Sequence, residues 1–119
     1  AYYLSIEGYR KQFREKLGFD PYPGTFNLRL RSRADIEARR LLESTPPITI
    51  DVFDDDRRSY GGAKVYKATI GNNIEGAVVV IDRSHYGPDV VEVISPFYLR
   101  EKLGVKDGDV ARVRVPVQA

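Results

Sequence analysis

The chain has 119 residues, 42% of them hydrophobic and 30% charged, which is typical of a single globular domain covering residues 1–119. Its net charge of +2 is too small to favour a nucleic acid partner, and no apolar run or leader predicts membrane insertion or export, so we expect a cytoplasmic protein. The lack of cysteine and the single histidine, His85, exclude disulfides, thiolate zinc sites and histidine-rich metal sites, so any metal must have oxygen ligands, as magnesium does.

The first part of the chain predicts short elements separated by clear stop signals. Tyr9, Phe13 and Leu17 recur every four residues between polar neighbours, which predicts an amphipathic helix that ends at Gly18. The other elements predicted here are strands at residues 2–6 and 25–31 and a helix at residues 34–42.

From residue 48 onwards the pattern is that of a β protein. Gly71, Asn72 and Asn73 are a tight-turn signal between two runs rich in valine and isoleucine, so these runs should pair as a hairpin. The predicted strands cover residues 48–53, 63–70, 74–81, 90–94 and 110–117. Many short strands and few helices predict a mainly β fold, a small closed β-barrel with two or three short helices.

A row of polar side chains follows the turn Pro21-Tyr22-Pro23-Gly24. Because side chains alternate along a strand, Thr25, Asn27 and Arg29 share one face while their apolar neighbours share the other. A hydroxyl, a carboxamide and a guanidinium side by side can bind phosphate oxygens or a hard cation. From this segment alone, an ordinary hairpin start with a polar outer face is the favoured interpretation.

A third helix is predicted where Ser95 provides an N-cap, Pro96 fits the first helical position and Gly104 lies just past the end. The N–H groups of its first turn, at Phe97 and Tyr98, have no partner within the helix and can bind an anion, because the helix dipole favours negative charge there. Every helix has such an end, so this is weak evidence for a phosphate site.

Two polar residues near the last long strand are candidates for contact with a substrate. Glu92 lies on the face opposite Val91 and Val93, where a carboxylate can accept a proton from a substrate hydroxyl, but it is equally explained as the outward residue of an edge strand. Ser84 is expected to hydrogen-bond a ligand from the preceding turn. The glycine-rich phosphate loops of common nucleotide scaffolds are absent from the sequence.

Read together, the motifs resemble those of the archaeal CTP-dependent riboflavin kinase family, from Tyr2 to about Val115. The Pro-Gly-Thr-x-Asn segment is the most specific of them, and their order along the chain is stronger than any one alone. The segments that carry the resemblance are Tyr2-Tyr3-Leu4-Ser5, Leu17-Gly18-Phe19-Asp20-Pro21-Tyr22-Pro23-Gly24-Thr25-Phe26-Asn27-Leu28, Glu92-Val93-Ile94-Ser95-Pro96 with Leu99-Arg100, and Lys106-Asp107-Gly108-Asp109-Val110.

The resemblance implies a cradle-loop β-barrel that transfers the γ-phosphoryl group of CTP to the 5′-hydroxyl of riboflavin, giving FMN and CDP. It also implies that Thr25 and Asn27 bind Mg²⁺, and that Ser84 and Glu92 contact the flavin, with Glu92 as the catalytic carboxylate beside the reacting hydroxyl. The residues it implies to contact the nucleotide are Phe97, Tyr98, Leu99 and Arg100.

The family carries a Gly-x-Gly-Glu-Gly nucleotide loop immediately before the position of Tyr2, and we expect a longer natural chain upstream of Ala1. Some relatives also carry an N-terminal winged-helix domain. A rival interpretation is a non-catalytic flavin- or nucleotide-sensing barrel of a transcriptional regulator, which would bind without turnover. A nucleic-acid-binding barrel that uses the arginines from Arg29 to Arg40 is the weakest alternative.

Overall fold

The computed structural model describes residues 2–81 and 87–117, which form three short α-helices and eight short β-strands. The helices are α1 (Glu7–Leu17), α2 (Arg33–Leu41) and α3 (Leu99–Leu103), and 3₁₀ helices lie at Tyr2–Ser5 and Leu42–Ser44. The strands are β1 (Phe26–Arg29), β2 (Ile48–Ile50), β3 (Phe53–Asp54), β4 (Ser59–Tyr60), β5 (Ala63–Ile70), β6 (Ile74–Ile81), β7 (Val90–Ile94) and β8 (Val113–Arg114).

Six of the described strands form one curled antiparallel sheet in the order β1-β7-β6-β5-β2, and β8 pairs with β5 on the same edge as β2. The other two, β3 and β4, form a small separate ribbon. The predicted mainly β class with short helices is therefore confirmed. Because β1 and β2 do not pair within the described residues, the sheet is a half-barrel. The predicted closed barrel therefore overstated how far the sheet closes on itself.

Apolar side chains pack on both faces of the sheet. Val78 and Val79 are neighbours on β6, yet both are buried and they belong to different clusters. The cluster on the Val79 face, which we call the α1-side cluster, contains Leu4, Phe13, Leu17, Phe19, Ile50, Ala63, Val65, Ala77, Val79 and Ile94. The opposite cluster contains Leu42, Tyr66, Ala68, Ile70, Val78, Val91, Val93 and Leu99. Burial on both faces explains why β6 has no polar residue from Gly76 to Ile81.

Local stop signals account for several element ends. Helix α1 ends where Gly18 adopts a left-handed conformation, φ 83°, and donates its N–H to the Arg14 carbonyl. The hairpin between β5 and β6 turns at Gly71 and Asn73, which also have positive φ, as a tight hairpin turn requires. Both features are as predicted. No helix within the described ranges is long and apolar enough to cross a membrane.

Three predicted strands differ from the structure. Residues 2–6 were expected to form a strand, but the Ile6 N–H donates to the Tyr3 carbonyl (3.1 Å) and Leu4 turns into the core, so Tyr2–Ser5 is a 3₁₀ helix. Of residues 110–117 only Val113–Arg114 pair as a strand, because the flanking chain lies on the surface, with Val110 94% exposed. Residues 48–53 divide between β2 and β3, which belong to different sheets.

Candidate active site

The polar row that follows the Pro-Gly turn lies on one face of the sheet, as its alternation predicts. Asn27 and Arg29 are exposed on β1, while their neighbours are partly buried towards the opposite cluster. The guanidinium of Arg29 is engaged by the Asp89 carboxylate at 2.6 Å, which ties the end of β1 to the segment before β7. Within this row, Thr25 and Asn27 are therefore the two oxygen donors that precede this ion pair.

Asn27 and Glu92 are directly opposite each other on the paired strands β1 and β7. They share the sheet face of Val79, which is the neighbour of Glu92 on β6. Opposite residues in an antiparallel pair have Cα atoms about 4.5–5.5 Å apart. Thr25 is two residues before Asn27, roughly 7 Å along the chain, so the hydroxyl precedes this pair at the start of β1.

The carboxylate of Glu92 lies in a partly desolvated environment. It is partly buried beside Val79. Burial raises the pKa of Glu92 above its ordinary value, because removal from water disfavours the charged form. A carboxylate with a raised pKa is a stronger proton acceptor than an exposed one, which is the property a general base requires.

A cavity of about 260 Å³ opens where β6 and β7 separate beyond the Val79–Glu92 pair. Most of its lining residues are aliphatic, but the surface they expose is more polar than apolar, with Glu92 at one point of the lining and Arg39 of α2 at another. Ser84 lies outside the described residues, although Ile81 and Gly87 on either side of that gap both line the cavity. The remaining lining residues are Val78, Val79, Val80, Pro88, Val90 and Val91.

A second cavity of about 210 Å³ lies between the turn before β1 and the segment before α3. The two segments are joined by a hydrogen bond from the Tyr22 N–H to the Ser95 carbonyl (2.7 Å) and by stacking of the Tyr22 and Tyr98 rings, 4.9 Å apart. Thr25 lines this cavity. The four residues implied to contact the nucleotide line it too, namely Phe97, Tyr98, Leu99 and Arg100.

The predicted start of α3 is wrong. The helix has five residues and begins at Leu99, and the hydroxyl of Ser95 lies outside it. It donates to the Glu75 carbonyl (2.6 Å) and accepts the Phe97 N–H (3.2 Å), so that N–H is not free for a phosphate. The guanidinium of Arg100 pairs with Asp107 at 2.7 Å. Of the two N–H groups predicted to bind an anion, that of Phe97 is therefore already occupied.

Comparison with known proteins identifies the family of this chain. The family model CTP-dep_RFKase, described as domain of unknown function DUF120, matches residues 1–115, nearly the whole chain. The chain belongs to the CTP-dependent riboflavin kinase family. The resemblance stated from the motifs is thereby confirmed.

The family includes curated relatives named riboflavin kinase. The one from Archaeoglobus fulgidus is 54% identical over 114 residues, which is 96% of this chain and 48% of the relative. The one from Methanosarcina barkeri is 50% identical, covering 98% of this chain and 49% of the relative. The one from Pyrobaculum aerophilum is 47% identical, covering 97% and 54%. The chain thus spans about half the length of the curated relatives it matches.

Two residues of this family member line the cavities although the sequence analysis assigned them no role there. Arg39 is three residues after Ile36 on α2, and both are partly buried, so helical spacing was the signal that could have marked it. Tyr22 lies in the turn that the resemblance already included.

The oxygen donors at this site fit a magnesium ion that arrives with phosphates. Within residues 2–81 and 87–117, no group of three or more histidine, cysteine, aspartate or glutamate side chains could hold a metal. What the fold does bring together is the Thr25 hydroxyl and the Asn27 carboxamide beside one carboxylate. Magnesium accepts such hard neutral oxygens when phosphates and water supply the other ligands.

Proposed function

We propose that this chain is the catalytic domain of a riboflavin kinase that transfers the γ-phosphoryl group of CTP to the 5′-hydroxyl of riboflavin, giving FMN and CDP. The family and the relatives named riboflavin kinase support the acceptor, and the family name supports the donor. The observation that carries the proposal is the Asn27–Glu92 pair, because it stands between two cavities. Glu92 lines the first cavity, and Thr25, two residues from Asn27, lines the second.

We assign the first cavity to the flavin. Its lining combines aliphatic side chains, which can contact the faces of a flat aromatic ring system, with polar groups for the ring edge and the side chain. Glu92 is then the polar group of the lining that meets the hydroxylated side chain of riboflavin. Arg39 offers a hydrogen-bond donor to the ring carbonyls from the other side of the cavity.

We assign the second cavity to the nucleotide. The stacked rings of Tyr22 and Tyr98 are both partly exposed, at 36% and 44%, and offer an aromatic surface on which a base can stack. Arg100 adds a cation at the same cavity, and its pairing with Asp107 leaves further guanidinium donors for a phosphate. Thr25 faces the triphosphate end of a nucleotide bound in this way.

The residues then have distinct roles in transfer. Glu92 accepts the proton of the 5′-hydroxyl as that oxygen bonds to the γ-phosphorus, while the bond from this phosphorus to the β–γ bridging oxygen breaks and CDP leaves. The Thr25 Oγ1 and Asn27 Oδ1 atoms would hold Mg²⁺, which when bound with the phosphates neutralises their charge. Because Asn27 and Glu92 are on paired strands, the sheet fixes the distance between the donor side and the acceptor side.

The direct test is to incubate the chain with riboflavin, Mg²⁺ and either CTP or ATP, and to separate the flavins by chromatography. We expect FMN with CTP and not with ATP. FMN formed with ATP but not with CTP would support kinase activity and contradict CTP as the phosphoryl donor. If the chain binds flavin but forms no FMN, the assay is repeated with any natural residues that precede Ala1. The same result would contradict the kinase proposal and favour the non-catalytic flavin-sensing barrel.

A further inference from the structure

The carboxylate of Asp20 is held by two arginines of helix α1. The Arg10 guanidinium contacts both of its oxygens, with the Nη2 atom 2.9 Å from Oδ2 and the Nε atom 3.4 Å from Oδ1. The Nη1 atom of Arg14 lies 3.7 Å from Oδ1. The hydrogen bond from Arg10 also lowers the pKa of Asp20 below its ordinary value. A contact through both oxygens fixes the direction of the carboxylate as well as its distance.

Helix α1 is itself fastened to the sheet, so its arginines are a fixed anchor. Phe13 and Leu17 are buried in the α1-side cluster. The Gln12 side chain exchanges two hydrogen bonds with the backbone of Asp51, which directly follows β2, at 3.0 and 2.7 Å. The Lys16 ammonium pairs with the Asp51 carboxylate at 3.0 Å. The position of Arg10 on this helix is therefore set by the core and by the edge of the sheet.

The segment that follows Asp20 is the turn that lines the second cavity. Phe19 and Pro21 on either side of Asp20 are buried, and residues 22–25 all line that cavity. Each of the two prolines in this turn fixes one backbone dihedral. The turn thus has few rotations that could absorb a displacement of Asp20 before it reaches Thr25.

We propose that Asp20 is a positioning residue, whose pair with Arg10 holds the turn so that Tyr22 and Thr25 stay in place for the nucleotide. This role rests on the proposed function, in which the second cavity is the nucleotide site. Neither Asp20 nor Arg10 lines that cavity, so they act on it through the backbone of the turn. Their side chains are 47% and 38% exposed, so the pair adds little to the stability of the fold, and its effect is on position.

The test compares Asp20→Asn with Asp51→Asn, since each removes one carboxylate that pairs with a basic residue of α1. All measurements use the chain with any natural residues that precede Ala1. Calorimetry with Mg²⁺ gives the Kd for CTP, flavin fluorescence gives the Kd for riboflavin, and the denaturant midpoint gives stability. We expect Asp20→Asn to raise the Kd for CTP about tenfold and to leave the Kd for riboflavin within about twofold. Asp51→Asn should leave both within about twofold, and both variants should lower the midpoint by similar small amounts.

The direction of the change separates position from charge. Loss of a negative charge would by itself strengthen the binding of a polyanionic nucleotide, so weaker binding by Asp20→Asn is not a charge effect. Arg10→Gln breaks the same pair and changes the net charge in the opposite direction. We expect both variants to weaken CTP binding. The double variant should bind CTP about as weakly as either single variant, because the same contact is lost in all three.

Several results would overturn this role for Asp20. They are opposite effects of Asp20→Asn and Arg10→Gln on CTP affinity, additive effects in the double variant, equal weakening by Asp51→Asn, and equal weakening of riboflavin binding. If the wild type binds CTP and Asp20→Asn binds it equally well, only the positioning role fails. If the wild type binds no CTP, the proposed function fails with it.

Discussion

Asn27 and Glu92 are cross-strand partners on β1 and β7, although they come from opposite ends of the chain. Their backbones belong to the same hydrogen-bonded sheet, so the distance between a carboxamide and a partly buried carboxylate does not depend on a loop. Sites built on strands hold their geometry more precisely than sites built on loops. The pair is therefore where the proposed phosphoryl donor and the proposed acceptor would meet.

Replacing Asn27 with leucine should separate turnover from flavin binding. The change removes an oxygen donor from the proposed magnesium position but leaves the valine-lined cavity intact. We expect kcat to fall about a hundredfold or more, with the riboflavin Kd changed less than about threefold. Steady-state kinetics and fluorescence titration measure the two quantities.

Arg29→Leu is the matched control, because Arg29 lies on the same face of β1 and lines neither cavity. It breaks the ion pair with Asp89, which is largely exposed, so stability should change by no more than about 1 kcal/mol and turnover should be nearly normal. Equal loss of turnover and riboflavin binding in Asn27→Leu would argue against the magnesium assignment.

Glu92→Gln tests the proposed base. The amide keeps the shape of the side chain but cannot accept the proton of the hydroxyl, so we expect kcat to fall about 10²–10⁴-fold. The KM for CTP should change little, because Glu92 lines the flavin cavity and not the second one. A variant that turns over at nearly the wild-type rate would eliminate Glu92 as the base.

The strands that carry the site were predictable because their sequences place apolar residues on both faces of the sheet. The bounds of β5, β6 and β7 agree with the predicted runs, since the buried positions of each are filled by apolar or small residues. Alternation also placed Asn27 and Glu92 on polar faces. It did not predict that these faces are the same one, because strand order and register depend on the whole chain.

The start of α3 was mispredicted from a local pattern. Ser95 followed by Pro96 is a good helix start in sequence, but the helix begins at Leu99, and the Ser95 hydroxyl also donates to the Glu75 carbonyl of β6, which no local pattern reveals. The buried hydroxyl of Tyr3 was missed for a similar reason. The sequence places the ring on an apolar face but does not show whether its hydroxyl has a hydrogen-bond partner.

Ser95→Ala should lower both stability and nucleotide affinity. Ser95 is 1% exposed, and its loss leaves the Glu75 carbonyl and the Phe97 N–H without this partner, at a cost of about 1–3 kcal/mol. The segment that lines the second cavity would lose an anchor, so the KM for CTP should rise more than the KM for riboflavin. Ser44→Ala is the control, since its exposed hydroxyl bonds only the nearby Leu41 carbonyl.

Arg39→Leu should weaken flavin binding because Arg39 lines the first cavity. Leucine keeps an apolar side chain at the cavity wall and removes the donor to a ring carbonyl, so we expect the Kd for riboflavin to rise about tenfold. Lumiflavin, which has the flavin ring system without the polyol chain, carries the same carbonyls, so its Kd should rise in parallel.

The neighbouring Arg40→Leu separates this local effect from a loss of positive charge on α2. Arg40 is exposed, pairs with Glu37 at 3.6 Å and does not line the cavity. Both variants lower the net charge equally, so any change that came from long-range attraction would appear in both and would weaken with salt. We expect only Arg39→Leu to alter flavin affinity, and that difference should persist in high salt. Equal changes in flavin affinity for the two variants would show that Arg39 does not bind the flavin directly.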